Sequence, residues 1–95
     1  MRLTPRQHNA IKKYFLDVFK EGQIYLFGSR VDDRRRGGDI DLYIRTPRLE
    51  NLVRKKIDFL VKLKREIGEQ KIDVVFDKGL ERYIDREVRE KGVLL

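Results

Sequence analysis

Apolar positions recur at two different periods along the chain, and the switches between them mark its elements. Ile11, Tyr14, Phe15, Val18 and Phe19 return every three or four residues, which predicts an amphipathic helix. Thr4 is placed to cap it, Pro5 suits its first turn, Gln7 completes capping-box spacing and Gly22 is a stop. The period then changes. Ile24-Tyr25-Leu26-Phe27 is a short apolar run that predicts a buried strand ending at Gly28, and residues 28–38 carry turn and loop chemistry. From Asp39 to Ile44 the alternation is strict: Asp39, Asp41 and Tyr43 share one face of a second strand, Ile40, Leu42 and Ile44 the other, and Pro47 ends it. Leu49 to Ile67 reads as a second helix with Leu52, Val53, Ile57, Leu60, Leu63 and Ile67 on its apolar stripe, closed by Gly68. Ile72 to Phe76 is a third strand, with Ile72, Val74 and Phe76 opposite Asp73 and Val75. A last helix, roughly Leu80 to Glu90, turns Leu80, Tyr83, Ile84 and Val88 inward, and Gly92 ends it. The tail Val93-Leu94-Leu95 either finishes the core or joins the first helix in a partner interface.

The element order predicts an α+β, two-layer fold: a small mixed sheet with helices packed mainly on one face, as a single domain over residues 1–95. A chain of 95 residues buries roughly 60–70% of its unfolded surface, enough for one core but not for a separate acceptor-binding domain. The acceptor surface is therefore expected from a partner or from a homodimer or hetero-oligomer. Composition narrows the classes further. The absence of cysteine excludes disulfides and thiolate metal sites. No signal peptide is visible, and the apolar runs fall far short of the ~20 residues of a membrane span, so a cytoplasmic protein without a membrane partner is expected. The net charge of +7 suits nucleic acid, nucleotide phosphates or an acidic partner, and equally a generic charged surface; no aromatic-interleaved basic tract decides for nucleic acid.

The chemistry concentrates between Gly28 and Asp73. Asp39 and Asp41, at i and i+2 of one strand, share a face, where two unpaired carboxylates are unfavourable unless a cation sits between them. A hard divalent ion, Mg²⁺ or Mn²⁺, answers that need. Asp73 is out of place among Ile72, Val74 and Val75; were its strand to lie beside Asp39–Ile44, it would reach the same face. Three carboxylates so placed suit two metals about 3.5–4 Å apart. Gly28 lets the backbone approach a ligand, Ser29 adds a hydroxyl and Arg30 a cationic fork for phosphate oxygens. Taken singly, a Gly-Ser is more often a plain turn, an Asp-x-Asp a solvated face and a strand aspartate an edge charge. Their order and placement together favour a nucleotide site.

Gly28-Ser29, the loop after it, Asp39-Ile40-Asp41-Leu42 and Asp73 closely resemble the DNA polymerase beta-like nucleotidyltransferase superfamily, and most closely its minimal nucleotidyltransferase branch, often found as the antitoxin partner of HEPN-domain proteins. The resemblance implies a nucleotidyltransferase fold, Mg²⁺, and transfer of a nucleoside monophosphate, commonly AMP from ATP. It implies that Asp39, Asp41 and Asp73 are catalytic metal ligands, with Asp73 also the base toward the acceptor hydroxyl. Gly28 and Ser29 would hold the triphosphate, with Arg30 and Gly38 beside it. The implied acceptor is a tyrosine of a HEPN-type toxin, AMPylated by its antitoxin in a type VII-like pair. The chain departs from the pattern where many members have Arg-x-Gly after Gly-Ser-Arg, here Val31-Asp32-Asp33-Arg34-Arg35-Arg36-Gly37, and in having Gly38 where many have Ser.

Two other readings stay open: a non-catalytic module of the same fold that masks a toxin by contact, and a small-molecule nucleotidyltransferase of the antibiotic-modifying kind. Arg34-Arg35-Arg36 can grip triphosphate, RNA or an acidic partner, or be a solvated loop. His8 is expected at the surface, Tyr43 either stacks on a base or packs, and Lys71 either meets phosphate or is an edge lysine.

Overall fold

A computed structural model describes residues 3–31 and 38–95, with only the backbone of Ser29. Helix α1 (Pro5–Phe19) starts as its sequence predicts: the Thr4 side chain accepts from the Gln7 amide while the Gln7 side chain accepts from the Thr4 amide. Strand β1 (Gln23–Phe27) runs into a 3₁₀ turn at Gly28–Val31. Strand β2 (Ile40–Arg45), helix α2 (Leu52–Ile67), strand β3 (Ile72–Phe76), helix α3 (Tyr83–Lys91) and the short strand β4 (Val93–Leu94) follow. The four strands form one open mixed sheet in the order β3-β2-β1-β4. β1 pairs antiparallel with β2 and β4, whereas β2 and β3 are parallel. A parallel pair needs a crossover, and α2 supplies it.

α1 and α2 cover one face of the sheet. Phe15 and Phe19 of α1, and Phe59 and Leu63 of α2, pack on Ile24, Leu26, Ile40, Leu42, Ile44, Ile72 and Val74. Tyr14 of α1 donates to Glu66 of α2 at 2.8 Å, and Lys62 pairs with Asp17. α3 lies on the opposite face, where Ile84 and Val88 meet Phe27, Tyr43, Tyr25 and Val75. The fold is thus the expected α+β sheet with helices mainly on one face, α3 being the exception.

Two side-chain expectations are corrected. In α2 the buried residues are Phe59 and Leu63, while Val53 and Ile57 are 75% and 55% exposed. The helix starts at Leu52, and its phase is set by Phe59 and Leu63, which puts Val53 and Ile57 on the outer side. In the last helix Leu80 and Tyr83 are exposed, because the helix starts only at Tyr83 and turns Ile84, Asp85 and Val88 to the sheet. The apolar tail joins the sheet and the core: Val93 and Leu94 pair with β1, the Leu95 amide donates to the Ile24 carbonyl at 2.9 Å, and Leu95 packs against the core.

Candidate active site

The parallel register of β2 and β3 sets Asp41 directly beside Asp73. Their neighbours along each strand, Ile40, Leu42, Ile72 and Val74, all point into the helix-covered core, so both carboxylates stand on the opposite face. Asp41 is half-buried and Asp73 exposed. Desolvation, the charges of Asp73 and Asp39, and a side-chain hydrogen bond with Asp73 push the Asp41 carboxyl up to about 6, with Lys71 opposing. The crowding of negative charge on this face is what a bound cation would relieve.

Asp39 precedes β2 and is drawn sideways, its Oδ2 lying 3.4 Å from Lys71 Nζ. The Ile40 amide donates to the Lys71 carbonyl at 3.1 Å, which joins the entries of the two strands. Among the described residues no three acidic or histidine side chains form a group that could hold a metal. The three carboxylates expected to converge therefore do not form one group here: Asp41 and Asp73 are level across β2 and β3, while Asp39, outside the strand, is drawn to an ammonium partner.

On the other flank, Phe27 lies opposite Asp41 in the antiparallel register, so Gly28 begins its turn beside the Asp41 side chain. Gly28 has φ +77°, and a Cβ there would stand 2.3 Å from Asp41 Oδ2. Glycine is thus demanded both by the left-handed backbone and by the carboxylate. Arg30 donates from Nε to the Gly38 carbonyl at 3.3 Å, closing the mouth of the loop between β1 and β2. The backbone of Ser29 lies in the 3₁₀ turn; its side chain and Arg34-Arg35-Arg36 lie outside the described residues.

Tyr43 does not offer a ring for stacking. It is 2% exposed, packs edge-on to Tyr25 and donates from its hydroxyl to Asp85 Oδ1 at 2.7 Å. Burial and that bond push the Tyr43 hydroxyl well above its usual range. Arg82 grips Asp85 through Nε at 2.8 Å and Nη2 at 3.1 Å, and reaches the Phe76 carbonyl at 2.8 Å. Hydrogen bonds from Arg82, then from Tyr43, hold the Asp85 carboxyl well below the usual carboxylate range. This bridge ties α3 to the strands that carry the carboxylates. Asp85 went unrecognised in the sequence; its signal is an aspartate between Ile84 and Val88 on the inward stripe, three residues after an arginine. His8 is half-buried on α1, across the sheet from the carboxylates, with no partner for its Nε2 among the described residues.

The site thus consists of an open mixed sheet, two carboxylates level with each other on the face that α3 covers in part, and a glycine turn against one of them. The sequence matches the profile of the nucleotidyltransferase domain family over residues 8–95, and the chain belongs to that family. No curated protein matches the sequence. The family's general activity is nucleotidyl transfer. Among the described residues no helix is long and apolar enough to cross a membrane.

Proposed function

We propose that the chain is a divalent-metal-dependent adenylyltransferase that moves AMP from ATP to a protein hydroxyl. The observation that carries this reading is the register of Asp41 beside Asp73 with Gly28 closed against Asp41. The donor set fits a hard divalent ion: all of its ligating atoms are carboxylate oxygens, and the like charges of Asp41 and Asp73, level with each other across two strands, are what such an ion would neutralise. Asp41 and Asp73 would hold it, joined by Asp39. Bound there, it would polarise the phosphoryl oxygens and steady the leaving group.

The chain's own residues do the rest. Gly28 and Ser29 present backbone amides to the triphosphate, with Arg30 and Gly38 at the loop mouth. Asp73, the more exposed of the pair, takes the proton of the acceptor hydroxyl. The new bond joins the acceptor oxygen to the α-phosphorus, the bond to the β-phosphate oxygen breaks, and pyrophosphate leaves. The Tyr43–Asp85–Arg82 bridge keeps the strands fixed behind the carboxylates.

The acceptor rests on the resemblance of Gly28-Ser29, Asp39-Ile40-Asp41 and Asp73 to the minimal nucleotidyltransferases: a tyrosine of a HEPN-type toxin, with this chain as its antitoxin. The test incubates the protein with α-labelled ATP, Mg²⁺ and a HEPN partner encoded beside it. Label should appear on a partner tyrosine, and Asp41→Asn should abolish it. The pairing of Asp39 with Lys71 favours a second reading, a module that masks the toxin without catalysis. Asp39→Asn separates the two: neutralisation that survives this change at wild-type dose leaves only the masking role.

A further inference from the structure

Lys71 stands just outside the carboxylate pair. Its backbone is anchored by the Ile40 amide, whereas its side chain is 71% exposed and that of Asp39 is 40% exposed. Packing therefore locks neither partner, and an exposed ion pair of this kind is weak. It is strong enough to set where Asp39 rests in the metal-free protein and weak enough to be exchanged.

Asp41 and Asp73 stand side by side with like charge, whereas the charge of Asp39 is answered locally by the ammonium. A divalent cation arriving between them competes for Asp39 with a cation already present. The displaced ammonium cannot leave, because β3 tethers it two residues from Asp73. A fixed ammonium near a divalent cation is repelled unless an anion lies between them. On the face where Asp41 and Asp73 stand, the anion a nucleotidyltransferase brings is polyphosphate.

We propose that Lys71 is an exchangeable counter-cation, which holds Asp39 while the site lacks metal and turns to the nucleotide's phosphates once metal takes Asp39. This inference rests on reading the site as a metal-and-nucleotide centre. It gives one side chain two opposite effects: Lys71 weakens metal binding alone and strengthens nucleotide binding afterwards. A merely structural lysine has neither effect.

The experiment is calorimetric. Mn²⁺ is titrated into the wild-type protein and Lys71→Met without nucleotide, and a non-hydrolysable ATP analogue is then titrated into each Mn²⁺-loaded protein. Lys71→Met should bind Mn²⁺ about two- to fivefold more tightly, and its loaded form should bind the analogue roughly tenfold more weakly. Lys78→Met, which removes the same charge from an exposed lysine beyond β3, should leave both affinities within about twofold. If wild-type protein binds Mn²⁺ and Lys71→Met changes only one affinity, or moves both in the same direction, the exchange is overturned while the metal site stands. Failure of the wild-type protein to bind Mn²⁺ at all overturns the metal-centre reading and the exchange with it.

Discussion

The two faces of the central sheet follow the same alternation and carry opposite duties. On the face under α1 and α2, Leu42 and Ile44 are fully buried in the apolar core, and Ile72 and Val74 extend the same layer. On the other face the residues between them are Asp41, Tyr43 and Asp73, and α3 covers only part of the surface through Ile84 and Val88. Because successive side chains point to opposite sides, a strand buried on one face is free to spend the other on chemistry. The open face is itself divided. Toward Tyr43 it is closed by the Asp85–Arg82 bridge, and toward Asp41 the Gly28 turn lies against the carboxylate. The first face is held by area, the second by a few directed polar contacts. Substitutions on the two should therefore fail differently.

The largest effect is expected under the helices. Phe59→Ala empties a site of zero exposure and should lower the unfolding free energy by about 3–5 kcal/mol in urea titrations, with no specific change at the carboxylates. Gly28→Ala should cost about 1–2 kcal/mol from its left-handed backbone. It should also move Asp41, whose Oδ2 occupies the space of the new Cβ, so a crystal structure of this variant should show the Asp41 side chain turned away from Asp73. A structure with Asp41 unmoved would break the proposed fit of turn to carboxylate. Tyr43→Phe removes one donor from Asp85 and should cost about 1 kcal/mol. Its signature is faster amide exchange in α3 with α1 and α2 unaffected; uniform loss across the fold would erase the distinction between the faces.

The smallest effect concerns pH. With its folded pKa raised to about 6 from an ordinary 3.8, Asp41 binds a proton more tightly in the folded chain. That contribution is fully present below about pH 4 and is lost as pH rises through 6. The shift corresponds to about 3 kcal/mol at most, and solvent screening of this half-buried group reduces it to on the order of 1 kcal/mol. Asp41→Asn should therefore flatten the metal-free stability profile between pH 4 and 6, measured by thermal melts. Asp85 acts with the opposite sign: its carboxyl, held low by Arg82 and Tyr43, contributes stability that is lost as pH falls below the ordinary carboxylate range.

Much of the architecture was legible because its signals are local. The Thr4–Gln7 box, the breaks at Gly28 and Gly68 and the alternation of Asp39–Ile44 and Ile72–Phe76 depend on residues near one another in the chain. The α2 stripe misled because Val53 and Ile57 are apolar at helical spacing, yet the helix turns by Phe59 and Leu63. Apolar spacing gives a period; packing chooses the phase.

The site shows the same division. By itself the sequence determined that Asp41 and Asp73 would each leave a strand on the side away from its apolar residues, since that follows from stereochemistry within each strand. Only the tertiary structure decided that β3 lies parallel to β2 with Asp73 level with Asp41, that Asp39 rests on Lys71, and that Asp85 closes over Tyr43. Those are pairings between residues far apart in the chain. Their register is set by the burial of the whole opposite face, where a slip of β3 by one residue would turn Asp73 into the core.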